Sequence, residues 1–379
     1  MQKSVVRIEN MEHSVKFYKA TMFNEIEKLQ KEDFQESLES AVEDLEADFQ
    51  RRLGNNLVMS VNTPSAAIHL ALCALDLKRG DKVICPVNSY VDVPEAIRYF
   101  DSEPIFVDID IESYHIDRAA LESALSKNTS KKLKAIVVSH FAGLAAPVDE
   151  IVALAHKYNV AVIEDFIDAP MLEQEIKVIG DIALFSLNYR LDNTIKGSMI
   201  LFKEQKLFDR AELLRKHGLV ETNRDVHYLY DIVDIGCDYR LDAINAYLLH
   251  SILPERERLL QKRREIAESY FELLADTPHV ELPIRSSKHS YNYFIIKIDK
   301  NRDAFARELK KRGVEVGLHY IPLNFTQYYK EKYGLKIFNF PNALSVYQTV
   351  MSLPCYGKMS QKDVEYVAAM VQEVAKEHI

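Results

Sequence analysis

The chain has 379 residues, of which 47% are hydrophobic and 28% charged, and its formal net charge is −9. This composition is typical of a globular protein large enough for an extensive core and a second domain. The negative charge argues against nucleic acid as a partner, because its phosphates would be repelled. No apolar run reaches the roughly 18 residues needed to span a bilayer, and none follows the first residues as a signal peptide would require. We therefore expect a cytoplasmic protein with no membrane partner.

The spacing of the cysteines indicates neither a metal site nor a disulfide framework. Cys73, Cys85, Cys237 and Cys355 are far apart and show no paired spacing. This pattern favours reduced thiols in a cytoplasm over disulfides or a zinc site, so no metal is predicted.

Residues 12–53 place apolar side chains at helical spacing, with charged residues on the other faces. The spacing predicts a helix. Two interpretations remain open: a helix packed on its own domain, or an arm that reaches a partner subunit.

Short apolar runs then alternate with helical segments, a pattern that predicts a mostly parallel sheet with helices on both faces. A long helical stretch from Asp242 to Tyr270, interrupted at Pro254, leads into a smaller α/β part. The sequence thus predicts two domains, 1–250 and 251–379. The strands of the large sheet are expected near 57–61, 82–85, 105–107, 135–139, 160–164, 182–186 and 198–202, and those of the small domain at 291–298 and 314–318.

The polar residues that follow two of these runs predict a ligand site. Asp165 ends the run at 160–164, and Asn188, Tyr189 and Arg190 follow the run at 182–186. Ligands of open α/β sheets bind at the carboxyl ends of the strands.

The segments VIEDFIDA (162–169) and GDIALFSLNYR (180–190) resemble the strand–loop–strand core of sugar aminotransferases of the DegT/DnrJ/StrS type. The resemblance extends over roughly residues 36–376. It implies the pyridoxal-phosphate (PLP) transferase fold, similar to aspartate aminotransferase, with a large doubly wound domain and a smaller C-terminal α/β domain. It also implies a PLP-dependent homodimer of nucleotide-sugar or amino-sugar biosynthesis, which aminates a keto-sugar with a donor such as glutamate.

The resemblance also implies roles for individual residues. Asp165 would pair with the pyridine nitrogen, Tyr90 would stack on the ring, and Asp168 would stand where relatives contact the phenolic oxygen. Asp238 would reach across the dimer interface towards the partner's cofactor phosphate. His140 either lines the crevice as a catalytic candidate or is a structural histidine. The segment Thr63, Ser65 and Ala66, together with Ser186, would supply the donors for the cofactor phosphate.

One position departs from the family pattern in a way that affects the chemistry. The expected Schiff-base lysine is replaced by Arg190 when counted back from Met199, or by Leu191 when counted forward from Phe185. Neither side chain forms a Schiff base, since guanidinium stays protonated and leucine has no nitrogen. Lys196, five or six residues further on, is the alternative catalytic lysine, or else a surface lysine at a strand start.

Three further departures weaken the expected cofactor site: Pro64 lacks an N–H, and Asp168 and Asp238 are acids where relatives have neutral donors. Three hypotheses follow. The first is a PLP-dependent sugar aminotransferase, and the second is a relative that binds a sugar nucleotide or a partner protein with PLP absent or non-covalent. The third is a lysine-independent PLP enzyme with Arg190 or Tyr189 in the pocket.

Overall fold

The computed structural model of the chain describes residues 14–17, 38–169, 177–187, 195–222 and 229–377. The helices are α1 Ala41–Leu53, α2 Pro64–Ala74, α3 Asp92–Arg98, α4 Arg118–Lys127, α5 Val148–Lys157, α6 Gln205–Leu214, α7 Ala243–Ile252, α8 Arg256–Leu274, α9 Arg302–Lys311, α10 Gln327–Tyr333, α11 Pro341–Thr349 and α12 Gln361–Glu377. The strands are β1 Val58–Val61, β2 Lys82–Pro86, β3 Glu103–Val107, β4 Leu133–Ser139, β5 Ala161–Phe166, β6 Ile182–Ser186, β7 Ser198–Phe202, β8 Leu219–Glu221, β9 Tyr230–Ile232, β10 Val280–Glu281, β11 Phe294–Ile298 and β12 Val350–Leu353. None of these described helices is long and apolar enough to cross a membrane.

The central sheet has seven strands in the order β1-β7-β6-β5-β4-β2-β3. The neighbours from β6 to β3 pair in parallel, whereas β7 is antiparallel to both β6 and β1. All seven strands predicted from the apolar runs are confirmed, within about three residues at each end. Because β1 and β6 both run opposite to β7, their carboxyl ends lie at the same edge as that of β5.

Neighbouring residues of one strand face opposite sides of the sheet, as the two-residue period of a strand requires. Ile163 packs with the cluster that includes α2, α3 and α6, whereas Val162 packs with α4 and α5. Likewise Leu184 joins the α2 side, and Phe185 packs against α1 and α7. Burial on both faces explains why these strands read as continuous apolar runs, and it confirms the doubly wound architecture.

The C-terminal part forms its own core around a small antiparallel sheet, β10-β11-β12. Tyr270, Phe294, Phe305 and Val371 are buried in one cluster that joins α8, β11, α9 and α12. The helix break predicted at Pro254 is confirmed by a 3₁₀ turn between α7 and α8, since proline has no N–H to continue the helix. A boundary at residue 250 would fall inside α7, and the division into domains stays a prediction.

Two predicted elements need correction. The long N-terminal helix was expected from residue 12, but Val15 lies in a β-bridge with Val314. Leu38 and Glu39 are helical, and α1 follows from Ala41, so the C-terminal end of the predicted helix is confirmed. Residues 18–37 of that prediction lie outside the described part of the chain. The strand expected at 314–318 is reduced to two isolated bridges, Val314 with Val15 and Gly317 with Ser352. Too few consecutive residues there find a partner strand to form a ladder.

The two parts meet at the loop after β4. The Ser290 N–H donates to the Gly143 carbonyl at 2.8 Å, and the Tyr293 N–H donates to the Ala142 carbonyl at 3.2 Å. Gly143 has a φ of +95°, and a Cβ there would collide with the Ser290 hydroxyl. Glycine is therefore needed for both backbone conformation and close approach. This contact fixes Tyr293 of the C-terminal part beside the edge of the large sheet.

Candidate functional site

A small cavity lies at the carboxyl edge of the sheet, between the ends of β2, β4 and β5. It is lined by the carboxylates of Asp92, Asp165 and Asp168, and also by Tyr90 and His115, and we call it the acid pocket. Its volume is about 20 Å³. This is close to the space that one water-sized group occupies. The predicted site at the end of β5 is thus a real cavity, but a narrow one.

Asp165 is at the centre of the acid pocket. Its side chain is 7% exposed, and its Oδ1 accepts the N–H of Ile167 at 2.8 Å. Burial, together with the charges of Asp92 and Asp168, raises the pKa of Asp165 well above its ordinary value. Burial penalises the charged form of a carboxyl group. A cationic group placed in the pocket would offset this penalty and favour the ionised Asp165 carboxylate.

Asp92, the first residue of α3, is the second acid of the pocket. Burial, reinforced by the charge of Asp168, raises the pKa of Asp92 to about 6. Among the described residues that line the pocket, only His115 has a basic side chain. Burial lowers the pKa of His115 to about 4, so its imidazole is neutral near pH 7. Near neutral pH the described lining therefore holds carboxylates and no cation.

Asp168 is bound by two phenols of the C-terminal part of the chain. The Tyr320 hydroxyl donates to Asp168 Oδ1 at 2.7 Å and the Tyr293 hydroxyl donates to the same oxygen at 3.1 Å. Burial and the Asp168 carboxylate raise the pKa of Tyr320 well above its ordinary value, so the phenol keeps its proton and remains a donor. The C-terminal part of the chain is thus joined to the loop after β5 over the pocket by charge-assisted hydrogen bonds.

Tyr90 stands at the mouth of the acid pocket. Its side chain is 52% exposed, and its ring centroid lies 5.3 Å from that of Tyr320. The structure therefore leaves one aromatic face available beside the carboxylates, where the sequence predicted a stacking residue. Its role towards a cofactor stays a prediction.

His140 lies behind the crevice rather than in its lining. The imidazole is fully buried and packs against the Phe166 ring, with centroids 4.0 Å apart and the ring planes tilted by 32°. Its Nδ1 accepts the Ala146 N–H at 3.0 Å, so its Nε2 carries the proton and donates to Glu164 Oε2 at 3.1 Å. Glu164 also accepts the backbone N–H groups of Ile179 and Gly180. These contacts fit the structural alternative for His140 better than the catalytic one.

The expected phosphate cradle is largely used by the fold itself. Thr63 is the N-cap of α2, and its Oγ1 accepts the Ala66 N–H at 3.0 Å. Pro64 is the first helical residue and has no N–H to offer, while the Ser65 side chain is exposed. The segment therefore has the geometry of an ordinary capped helix start.

Ser186 is the last residue of β6 and lies at the same edge of the sheet as the start of α2. It pairs with Ser198 of β7, which in turn pairs with Val61 at the end of β1. With strands about 4.8 Å apart, Ser186 lies roughly 10 Å along the edge from the beginning of the Thr63 segment. The Ser186 side chain is buried, and a role towards phosphate stays a prediction.

The candidate lysine is not in the acid pocket. Lys196 is exposed just before β7 and does not belong to the pocket's lining. Arg190 and Leu191, the residues at the expected lysine position, lie outside the described residues, as do Asn188 and Tyr189. Within the described part of the chain, no lysine amine lines this pocket, so a PLP held there by a Schiff base does not fit.

Asp238 lies on the surface with its charge engaged locally. Arg240 donates to both of its carboxylate oxygens, at 2.8 and 3.0 Å, and this pairing lowers the pKa of Asp238. The Asp238 carbonyl accepts from the Asn62 side chain at 3.4 Å. The loop therefore borders the start of α2 in its own chain, and the Arg240 charge offsets the repulsion expected between Asp238 and a phosphate.

Three site residues were missed from the sequence: Asp92, Tyr293 and Tyr320. Asp92 lies only two residues after Tyr90, which the sequence already predicted to contact a ligand. This proximity in the chain was the signal that could have identified Asp92. Tyr293 gave no local signal, because the contact of its hydroxyl with Asp168 spans 125 residues.

Comparison with known proteins supports this architecture. The model of the DegT/DnrJ/EryC1/StrS aminotransferase family matches residues 18–372. An uncharacterized protein of Methanocaldococcus jannaschii is 32% identical over 348 residues, which cover 87% of this chain and 89% of that protein.

Solved structures share the fold at lower identity. Spr1654 from Streptococcus pneumoniae, in its PLP-form, has a TM-score of 0.85 at 21% identity and covers 97% of this chain and 100% of its own. PseC of Helicobacter pylori, an aminotransferase involved in the biosynthesis of pseudoaminic acid, has a TM-score of 0.79 at 23% identity, over 92% of this chain and 97% of its own. The predicted PLP-transferase fold is confirmed. The chain belongs to the DegT/DnrJ/EryC1/StrS aminotransferase family.

Proposed function

We propose that this chain binds a sugar or sugar nucleotide in its crevice without forming a Schiff base through a lysine of its own. The observation that carries the proposal is the lining of the acid pocket. It keeps Asp165 at the carboxyl end of β5 and Tyr90 beside it, while Lys196 is exposed outside the lining. The family's expected lysine position holds Arg190 or Leu191.

The chemistry of the crevice suits a polyhydroxylated ligand. Carboxylates accept hydrogen bonds from sugar hydroxyls, and phenols both donate and accept them. Asp92 and Asp168 place carboxyl groups within one small volume, and the Tyr293 hydroxyl adjoins it through its hydrogen bond to Asp168. The half-exposed Tyr90 side chain offers an apolar surface for a sugar ring. A few polar groups converging beside an aromatic wall are typical of small-molecule sites.

A second candidate is the transamination of a keto-sugar with a donor such as glutamate. The full-length match to an aminotransferase family favours it, as does Asp165, an acid placed where a pyridine nitrogen would need one. PLP, when bound, supplies the electron sink for such chemistry. The proton-moving base would then have to be Lys196, or the chain would act without a lysine through Arg190 or Tyr189.

We also propose that the chain works as a homodimer whose 236–240 loop, including Asp238, lies near the partner's crevice. The hairpin β8–β9 next to this loop supports the proposal. Val220, Tyr230 and Ile232 are exposed on it, and Ile235 just beyond it is 91% exposed. An isolated two-stranded hairpin is marginally stable in water, so a covering partner would stabilise it.

The visible absorption spectrum of the purified protein, recorded with and without added PLP, separates the two candidates. We expect a colourless protein, no visible band that borohydride bleaches, and no reduced lysine adduct by mass spectrometry. Lys196→Ala should then behave as the parent chain does, and Lys206→Ala on the exposed face of α6 serves as the control. A yellow protein whose colour disappears in Lys196→Ala, but not in Lys206→Ala, would establish the aminotransferase instead.

A further inference from the structure

A second cavity lies between α2, α6 and the loop 234–239, and it shares no lining residue with the acid pocket. Its volume is about 310 Å³, within the range of small-molecule sites. Two of the four cysteines of the chain, Cys73 and Cys237, line it, and we call it the thiol pocket. Two thiols that are far apart in the sequence thus face one cavity.

The thiols of Cys73 and Cys237 are the two ends of one series of polar contacts. Cys73 Sγ lies 3.8 Å from His69 Nδ1, and the Tyr239 hydroxyl oxygen lies 3.0 Å from the same nitrogen. The Tyr239 hydroxyl is also hydrogen-bonded to the Cys237 thiol. Both cysteines are partly exposed, so a small reagent that enters the pocket can reach them.

Two other uses of the thiol pocket fit its residues less well. Among the described residues, no group of three or more His, Cys, Asp or Glu side chains is arranged to hold a metal ion. Arg210 is the one arginine or lysine of the described lining, and Asp76 and Asp234 pair with its guanidinium at 3.2 and 3.0 Å. An anionic ligand would therefore meet a cation whose charge is already offset. The chemistry that remains is that of the two thiols.

We propose that Cys73 and Cys237 form a reversible disulfide when the protein meets a low-molecular-weight disulfide such as oxidised glutathione. One protein thiolate attacks a sulfur of the reagent, the reagent's S–S bond breaks, and one molecule of reduced glutathione leaves. The second protein thiolate then attacks the mixed disulfide and releases a second molecule of reduced glutathione. The two protein sulfurs lose two electrons, the two sulfurs of the reagent gain them, and the two thiol protons leave with the released glutathione.

The surroundings of the thiols set the order of these steps. Burial, together with the charge of Cys237, raises the pKa of Cys73 to about 12. The Cys73 thiol therefore keeps its proton near neutral pH, and the first attack falls to Cys237. Burial also lowers the pKa of His69, which keeps its imidazole neutral. His69 Nδ1 is thus placed to accept the Cys73 proton in the second step.

The new bond would join α2 to the loop that contains Asp238. A disulfide holds its two Cα atoms roughly 4.4–6.8 Å apart, and the open volume of the pocket gives both side chains room to turn towards each other. The Cys237 N–H donates to the Leu214 carbonyl of α6 at 2.9 Å. Oxidation would therefore fix the 236–240 loop on α2 as well as on α6, next to the contact of Asn62 with the Asp238 carbonyl.

Incubation of the reduced full-length protein with oxidised glutathione tests the proposal, with mass spectrometry after quenching by N-ethylmaleimide. We expect the chain to lose the mass of two hydrogen atoms, the tryptic peptides 53–78 and 225–240 to be linked, and dithiothreitol to separate them. Cys85→Ala should form the same link to the same extent, because Cys85 is buried outside the pocket. A folded parent that keeps four free thiols, carries only glutathione adducts or links two chains would overturn the inference.

Two variants, each checked for folding by circular dichroism, test the order of the steps. Cys73→Ser should stop at a mixed disulfide between Cys237 and glutathione, because the second thiol is gone. Cys237→Ser should carry at least fivefold less glutathione under the same conditions, because the Cys73 thiol stays protonated. Equal glutathione on the two variants would refute the assignment of Cys237 as the first nucleophile. An internal disulfide of unchanged yield in either variant would show that another pair of cysteines reacts.

Discussion

The raised pKa of Asp92 makes the stability of the protein depend on pH in a direction that can be measured. Burial, together with the neighbouring charges of Asp168 and Glu95, raises this pKa from 3.8 to about 6. The folded state therefore binds the proton more tightly than the unfolded state does. Between these two pH values stability falls as pH rises, because the unfolded chain has already released a proton that the folded chain still holds.

The size of the effect follows from the two pKa values. At about 1.4 kcal/mol for each pH unit, the interval from 3.8 to about 6 corresponds to roughly 3 kcal/mol of unfolding free energy. The contribution is fully present below the unfolded-state pKa and is lost above the folded-state pKa. Asp92→Asn cannot ionise, so its stability relative to the parent should rise by roughly 2.5 kcal/mol between about pH 4 and about pH 8, because the parent has already lost about 0.5 kcal/mol at pH 4.

Urea unfolding followed by circular dichroism across this pH range measures the difference. The change to an amide also has an effect on stability that does not depend on pH. This effect is the same at both ends of the pH range, so it cancels when the two stability differences are compared. Asp276→Asn, an exposed acid-to-amide change, should track the parent throughout. If the stability difference between Asp92→Asn and the parent is the same at both ends of the range, the argument that burial holds the proton on Asp92 fails.

Two further predictions concern the buried hydrogen bonds of Glu164 behind the site and the assembly of the chain. Glu164→Ala should destabilise the fold by about 3–5 kcal/mol, because it removes the acceptor of His140 Nε2–H and of two backbone N–H groups. Glu164→Gln should lose less unfolding free energy, since its amide oxygen still accepts from the backbone N–H groups. Urea unfolding of both variants, with the exposed-site variant Glu272→Ala as a control, measures the two effects. Sedimentation velocity at micromolar concentration should show a dimer, and Ile235→Asp, which charges a 91% exposed apolar side chain beside the hairpin, should shift it towards monomer. A parent chain that sediments as a monomer would contradict the assembly proposal.

Periodicity and motif chemistry were sufficient for the large domain. The strands were predictable because both faces of the sheet are buried, which forces short, continuous, β-branched runs such as that around Val162 and Ile163. The end of β5 marked the site for the same reason, since a carboxylate directly after a buried strand stands at the edge where parallel sheets bind ligands. The absence of lysine at the Arg190 position is also a property of the sequence alone.

Tertiary structure decided the contacts that span long stretches of chain. Val15 was assigned to a helix by its spacing, but pairing with Val314 holds it in a bridge that no local pattern encodes. The hydrogen bonds of the two His140 ring nitrogens, to Ala146 and Glu164, likewise depend on packing between separate segments.

The acid pocket illustrates the same division. The sequence by itself identified Asp165 and Asp168, since each belongs to a recognisable segment after one strand. That Asp92 lies beside them, and that Tyr293 and Tyr320 reach Asp168 from the C-terminal part of the chain, depends on how separate elements pack. Burial and the mutual repulsion of charges exist only once these side chains share a cavity, so the raised pKa values of Asp92 and Asp165 are properties of the folded molecule.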